Sequence, residues 1–425
     1  MVATRNIPND FVAVDVAWSP DGRSIATAVS DGWRYAVAVV DATTGAVQVI
    51  GGHKWDDMYS IAWPRDGSHL IVAALDYAAG DAVQIWDVAL PAGTARRITK
   101  DVASYTAISL TADAGTIVAV RQDSRHSLWV APSSDPSRLS RIKSVPDTVA
   151  AGVPPRWTVD GRILYTANEE GSGNYDVWTV LPDGGDLRQL TTAPDRDGFA
   201  TMAPDGRFIA FLSNRDGLVR VWQMDSEGGR QTPVSSGPFD YYPVVTSDSR
   251  GVYFIRFDQP DYPLYMTPIE GGQATLLSGP TSMVPAGKWQ GVPAVFLPDE
   301  LSPDGSIILG SYNDPDQRRR RVALVPTDGR SAVRRLDIAL PSGISSRSLA
   351  WAPDSRAITF VRMTEGAANL WRQPLDGGPA TRVTNYPPGD DIARHAWSRD
   401  GKLLAMIRGT AERHVVMMRE VPTRR

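Results

Sequence analysis

The residues best equipped to do chemistry are acids and aromatics gathered in short runs that each occur once. One run is His53-Lys54-Trp55-Asp56-Asp57-Met58-Tyr59. Others are Asp195-Arg196-Asp197-Gly198-Phe199, Phe239-Asp240-Tyr241-Tyr242 and Gly389-Asp390-Asp391. Carboxylates beside aromatic plates suit a cation, a basic peptide or a sugar. His53 with Asp56 and Asp57 has the make-up of a general base beside metal ligands. An isolated His next to Lys54 is more often a plain loop residue. The candidate ligand-binding set is therefore His53, Trp55, Asp56, Asp57, Tyr59, Asp195, Asp197, Phe239, Tyr241, Tyr242, Asp390 and Asp391. No catalytic residue and no metal ligand is assigned. A divalent cation is the one cofactor the set would admit, and nothing in the sequence requires it. The competing reading is a solvated polar rim.

Other chemistries lack their residues. Cys is 0, which excludes disulfides, zinc–thiolate sites and thiol nucleophiles. The five His make no H-E-x-x-H pair. No G-x-S-x-G elbow and no kinase H-R-D or D-F-G motif occurs. Gly171-Ser172-Gly173 lacks the third Gly of a dinucleotide fingerprint and reads as a loop. The one charge run, Arg318-Arg319-Arg320-Arg321, either meets an acidic partner or opens a strand facing water.

What must position these runs is a repeat. An apolar residue, two residues, then Asp recurs nine times, at Asp21, Asp66, Asp113, Asp160, Asp205, Asp248, Asp304, Asp354 and Asp400. The spacing averages about 47 residues, the period of a β-propeller. The Asp accepts backbone N–H bonds and the following Gly tolerates positive φ, so each signature is a tight turn between two strands. Nine evenly spaced acids are then turn makers, and the recurrent Trp residues pack between sheets. Each unit reads as four strands, the third carrying an apolar–Trp step as in Ile85-Trp86 or Leu370-Trp371 and the fourth rich in Arg and Thr.

The fold expected is all-β: a single closed propeller over residues 1–425, with nine four-stranded blades, or eight with one degenerate unit. Residues 3–7, Ala3-Thr4-Arg5-Asn6-Ile7, resemble Ala380-Thr381-Arg382-Val383-Thr384 and are expected to complete the last blade. The 279–298 insertion accounts for one long spacing.

These units resemble the PD40 repeat, the WD40-like module of the TolB type. The last 75 residues, with Trp351-Ala352-Pro353-Asp354, Asn369-Leu370-Trp371 and Trp397-Ser398-Arg399-Asp400, resemble the C-terminal propellers of some bacterial, notably acidobacterial, serine/threonine kinases and winged-helix regulators. The resemblance implies a binding or scaffold module, the sensor part of a larger regulator, rather than an enzyme. The alternative is a lyase or hydrolase acting on a glycan through the loop carboxylates.

Composition bounds the partners. With 44 Lys and Arg against 48 Asp and Glu, the formal charge is −4, so nucleic acid is not expected. A protein or peptide partner, cationic by the loop acids, is expected, and the chain itself is expected to be a monomer. No apolar run reaches membrane-span length and no targeting segment is read. The expected location is the cytoplasm, or the periplasm if a signal peptide has been removed.

Overall fold

The computed structural model describes residues 15–30, 34–76, 82–111, 115–145, 147–168, 174–259, 262–278, 288–289, 292–293, 296–314, 319–340, 348–389 and 391–419. Every element within them is a β-strand. Residues 3–7, most of the 279–298 insertion and Asp390 lie outside the described residues.

Repeats one, two and four to eight each form one antiparallel four-stranded sheet, with strands in sequence order. The signature turn explains the start of each. In repeat one, Ser19 Oγ donates to Asp21 Oδ1 at 2.6 Å, and the Arg23 N–H donates to the same oxygen at 3.0 Å. Ser302 and Asp304 repeat that pairing at 2.5 Å, as do Ser398 and Asp400 at 2.7 Å. These donors hold the Asp21, Asp304 and Asp400 carboxyls below their ordinary range, Asp400 at about 2. Where repeats six and eight lack the Gly, Ser249 and Ser355 take its place at φ of 58° and 56°. A second device fastens the outer strand. The hydroxyls of Thr99, Thr191, Ser235 and Thr384 accept N–H bonds from the third strand at 2.9–3.0 Å.

Repeats three and nine differ from expectation. Their sequences suggest a hairpin between second and third strands. Instead Thr116–Pro132 and Leu403–Arg419 are each one continuous strand. They share a five-stranded sheet in which Asp391–Trp397, Leu403–Arg419, Thr116–Pro132 and Ser140–Arg141 lie in that order, with Ser104–Leu110 beside Thr116–Pro132. The strand next to Leu403–Arg419 is thus an internal one. The Cβ of any residue replacing Gly409 would strike the Arg125 carbonyl, so glycine permits this close approach.

The chain groups into two compact units. The first comprises residues 1–124, 290–292 and 411–425. Its described sheets are those of repeats one and two, followed by Ser104–Leu110, residues 116–124 and residues 411–419. The second comprises residues 125–289 and 293–410 and holds five four-stranded sheets together with the part of the five-stranded sheet formed by residues 391–397, 403–410, 125–132 and 140–141. Within it the innermost strands touch in sequence: Arg156–Trp157, Asp197–Met202, Asp240–Val245, Phe296–Leu301, Leu349–Trp351 and Asp391–Trp397. Asp391–Trp397 in turn touches Arg156–Trp157. The Trp157 indole N–H donates to the Ala396 carbonyl at 3.1 Å across that junction.

Candidate functional site

The innermost strands share a distortion that the sequence does not announce. Register slips between Gly198 and Thr201, Tyr241 and Val244, Pro298 and Glu300, and Ile392 and Arg394. In the first unit it slips between Met58 and Ser60. A bulge adds residues to one strand and re-aims their side chains. The extra residues include Tyr59, Phe199, Tyr242 and Asp299. Phe199 and Tyr242 stand at φ of 52° and 58°, costly for side chains of this bulk.

In the second unit these bulges converge on a small cavity. Its lining includes Arg156, Phe199, Thr201, Tyr242, Asp299 and Arg394, from five inner strands. It offers roughly 30 Å³ to a water-sized sphere, enough for a tightly held water or two. Arg156 donates through Nη2 to the Asp299 carbonyl, and its Nη1 lies 4.0 Å from Glu300 Oε1. Arg394, 2% exposed, donates to the carbonyls of Ala393 and Gly152 at 2.7 and 3.0 Å. Glu300 Oε2 accepts the Trp351 N–H at 2.7 Å. Asp299 Oδ2 is buried and has no hydrogen-bond partner among the described residues. Burial pushes the Asp299 carboxyl up to about 7, against the pull of Arg394, Arg156 and Arg320. Burial likewise raises Glu300. Next to Arg394, His395 is buried between the hydroxyls of Ser348 and Thr359, at 2.6 and 2.8 Å. Burial, with help from Arg156 and Arg394, holds the ring neutral, its pKa down to about 3.

Beside the cavity lies an aromatic cluster. Phe199 meets Tyr241 and Tyr242 at 5.0 and 5.4 Å, and Phe257 joins Phe239 at 5.5 Å. Tyr241 is 5% exposed, and its hydroxyl accepts from Arg196 at 2.9 Å. It is core, while Phe239 and Tyr242 are half-buried. Asp195 and Asp391 are half-buried too. Asp197 is fully buried and pairs with Arg215 at 2.7 Å. Asp240 pairs with Arg256 through two bonds of 2.7 and 3.0 Å. Each arginine also lies over an aromatic ring, Arg215 on Trp222 and Arg256 on Tyr265, at 4.9 and 4.8 Å. Asp197 is therefore occupied in holding its own sheet.

In the first unit the run from His53 to Tyr59 is likewise committed. Trp55 is 1% exposed and packs in the core between the sheets of repeats one and two. The His53 ring lies 4.8 Å from Trp55 and 5.2 Å from Trp86, and its Nε2 is 2.9 Å from Asp76 Oδ2. Asp56 lies 3.7 Å from Arg34. Burial raises the Asp57 carboxyl; burial and the Asp57 charge raise the hydroxyls of Tyr59 and Tyr35, the latter to about 12. Trp55 and Tyr241, placed by the sequence in the candidate ligand-binding set, are both buried because each fills the gap between neighbouring sheets. Among the described residues, no three acidic or imidazole groups are grouped to hold a metal ion.

Sequence reasoning missed Arg156, Asp299, Glu300 and Arg394. Their signal is positional: each lies one to three residues before the signature apolar residue, on a strand otherwise apolar.

No family model matches the chain. A stretch of 103 residues is 25% identical to an uncharacterised protein of Agrobacterium fabrum, covering 24% of this chain and 35% of that protein. The Tol-Pal system protein TolB of Nitratidesulfovibrio vulgaris is 36% identical over 61 residues, 14% of either chain. A TolB homologue of Chlorobium luteolum is 31% identical over 90 residues, 21% of this chain and 20% of that one. The match thus spans about a third or less of each curated relative. A solved structure of a putative TolB from Agrobacterium tumefaciens superposes with a TM-score of 0.51 at 17% identity, over 68% of this chain and 99% of the other. The fold is a TolB-like β-propeller repeat fold.

Proposed function

We propose that the chain is a non-catalytic binding propeller whose working surface surrounds the inner-strand cavity of the second unit, and that a protein partner lies on that surface with one small polar group at the cavity. In this reading the six sheets of the second unit form a closed ring, since six blades fall within the usual range and its first and last inner strands touch. The chain then serves as the sensor or scaffold part of a regulator, as the kinase-associated propellers would suggest. The observation that carries the reading is the set of bulges that turns Phe199, Tyr242 and Asp299 toward one cavity at a conformational cost. Residues that repeat in every blade have a structural reason to be there; the bulge recurs, but the side chains it turns out, Phe199, Tyr242 and Asp299, are not part of the repeated signature. The curated TolB relatives favour a protein partner over a small metabolite. Arg156, Arg320 and Arg394 surround Asp299 and Glu300, so acceptor oxygens on the partner fit better than the positive charge suggested by the loop acids.

One observation favours catalysis as the second reading. A carboxyl near neutrality beside two arginines is suited to general acid–base work on a glycan. Peptides selected by display on the immobilised protein distinguish the two. Calorimetry on variants that remain folded should show that Tyr242→Ala and Arg156→Gln weaken a selected peptide at least about tenfold, while His53→Ala does not. Selected peptides that bind all three variants like the wild type would remove the cavity from the account. Turnover of oligosaccharides that is lost in Asp299→Asn would establish the second reading instead.

A further inference from the structure

Two buried polar atoms at the second unit's cavity have no hydrogen-bond partner among the described residues: Arg156 Nη1, a donor, and Asp299 Oδ2, a carboxyl oxygen. Arg156 Nη2 donates to the Asp299 carbonyl, so the two residues adjoin. A buried polar atom left unmet is costly, and a ligand group that satisfies both recovers that cost. The cavity, roughly 30 Å³ in size, has room for the two polar atoms of one small planar group. Arg156, Phe199, Tyr242 and Asp299 are half-buried rather than sealed, so the group can enter from the surface.

Two groups suit that geometry. A carboxamide accepts from Arg156 and donates to an ionised Asp299. A carboxylate accepts from Arg156 and also from Asp299 in its acid form. The surrounding charges favour the second. Those acting on Asp299 are Arg394, Arg156 and Arg320, opposed by Glu300. Glu300 already accepts the Trp351 N–H, and His395 beside Arg394 is neutral. With Asp299 protonated, the three guanidinium charges face a single carboxylate. With Asp299 ionised, the new charge sits partly on Oδ2, which no N–H among the described residues reaches. On a ligand oxygen at Arg156 Nη1 the same charge has a donor. A partner covering the cavity removes more water from Asp299 and favours its acid form further.

We propose that the group the partner places in the cavity is a carboxylate, bound through one oxygen to Arg156 Nη1 and through the other to the protonated Asp299. This rests on the reading of the cavity as part of the partner-binding surface. One proton then accompanies the carboxylate, passing from solvent to Asp299 Oδ2 wherever the free protein holds Asp299 ionised. With the Asp299 carboxyl at about 7, about nine-tenths of the molecules are ready at pH 6 and about a tenth at pH 8. Affinity for a carboxylate therefore falls about tenfold over that interval.

Propionate and propionamide are the probes, titrated at fixed ionic strength and followed by saturation-transfer NMR. Wild type is expected to bind propionate about tenfold more weakly at pH 8 than at pH 6, and propionamide at least about tenfold more weakly than propionate at pH 6. Asp299→Asn should bind propionate equally at both pH values, its amide N–H standing in for the acid. Folded Arg156→Gln should lose propionate at least about tenfold. No binding of propionate, binding that ignores pH in the wild type, binding that survives Arg156→Gln, or a preference for propionamide overturns the proposal. On a selected peptide, C-terminal amidation and replacement of each Asp or Glu by its amide tell a terminal carboxylate from a side-chain one. A peptide that Arg156→Gln and Tyr242→Ala weaken, but that keeps its affinity through both changes, removes the carboxylate and leaves the binding surface standing. Selected peptides indifferent to both variants take away the surface itself.

Discussion

Replacing Asp299 with Asn isolates the electrostatics of the cavity. The carboxyl titrates at about 7 in the folded chain, against an ordinary 3.8. The folded state therefore holds the proton more tightly than the unfolded chain. Below about pH 4 both states are protonated and the group costs nothing. As pH climbs from about 4 through 7, the unfolded chain releases its proton freely while the folded chain must ionise a desolvated group. Each pH unit of difference is about 1.4 kcal/mol, and the carboxyl is half-buried rather than sealed, so the penalty at pH 8 is roughly 2–4 kcal/mol. Asn cannot ionise, so Asp299→Asn should exceed the wild type by about that amount at pH 8 and match it at pH 4. Urea unfolding followed by tryptophan fluorescence measures both. A variant less stable than the wild type at pH 8 would show that attraction to Arg156, Arg320 and Arg394 outweighs desolvation, and the reasoning would fail.

Three further outcomes follow from the packing. His395 is held neutral with its pKa down to about 3, so the wild type should lose stability as pH falls from 6.5 toward 3, by up to roughly 4 kcal/mol, and His395→Gln should flatten that slope in the same unfolding assay. Asp240→Ala removes the buried partner of the half-buried Arg256 and should cost about 2–4 kcal/mol, with Arg256→Leu in the same chain recovering part of it. Trp157→Phe keeps an aromatic ring but removes the N–H bond to Ala396 and leaves part of the buried indole's volume empty, and should cost roughly 2–3 kcal/mol by thermal or urea unfolding; no change would count against that junction.

The repeat was legible because its residues answer local demands. Asp21 and Gly22 are required by one turn's hydrogen bonds and its φ of 69°, and the same demand recurs at Asp304 and Asp400. The shared sheet of repeats three and nine was not. Asp123-Ser124 and Gly409-Thr410 look like hairpin turns, and nothing local tells a strand that its neighbour comes from the other end of the chain. The site was legible in part. Phe199 and Tyr242 stood within the non-repeating runs, yet Trp55, Asp197 and Tyr241 came from the same runs and are core. Non-repetition marks both a ligand-facing side chain and one that fills an irregular gap between sheets. Arg156 and Arg394 escaped notice because they shortly precede Trp157 and Trp397, positions that read as core; at Arg394 a bulge re-aims the strand, while Arg156 reaches the cavity from a regularly paired one.

Hydrogen exchange of the protein with and without a selected peptide tests the central claim most directly. Binding at the inner strands of the second unit should slow exchange in the segments holding Phe199, Tyr242, Asp299 and Arg394, and leave residues 53–59 unchanged. Protection confined to residues 53–59, or spread over the outer strands with the inner ones untouched, would contradict the account.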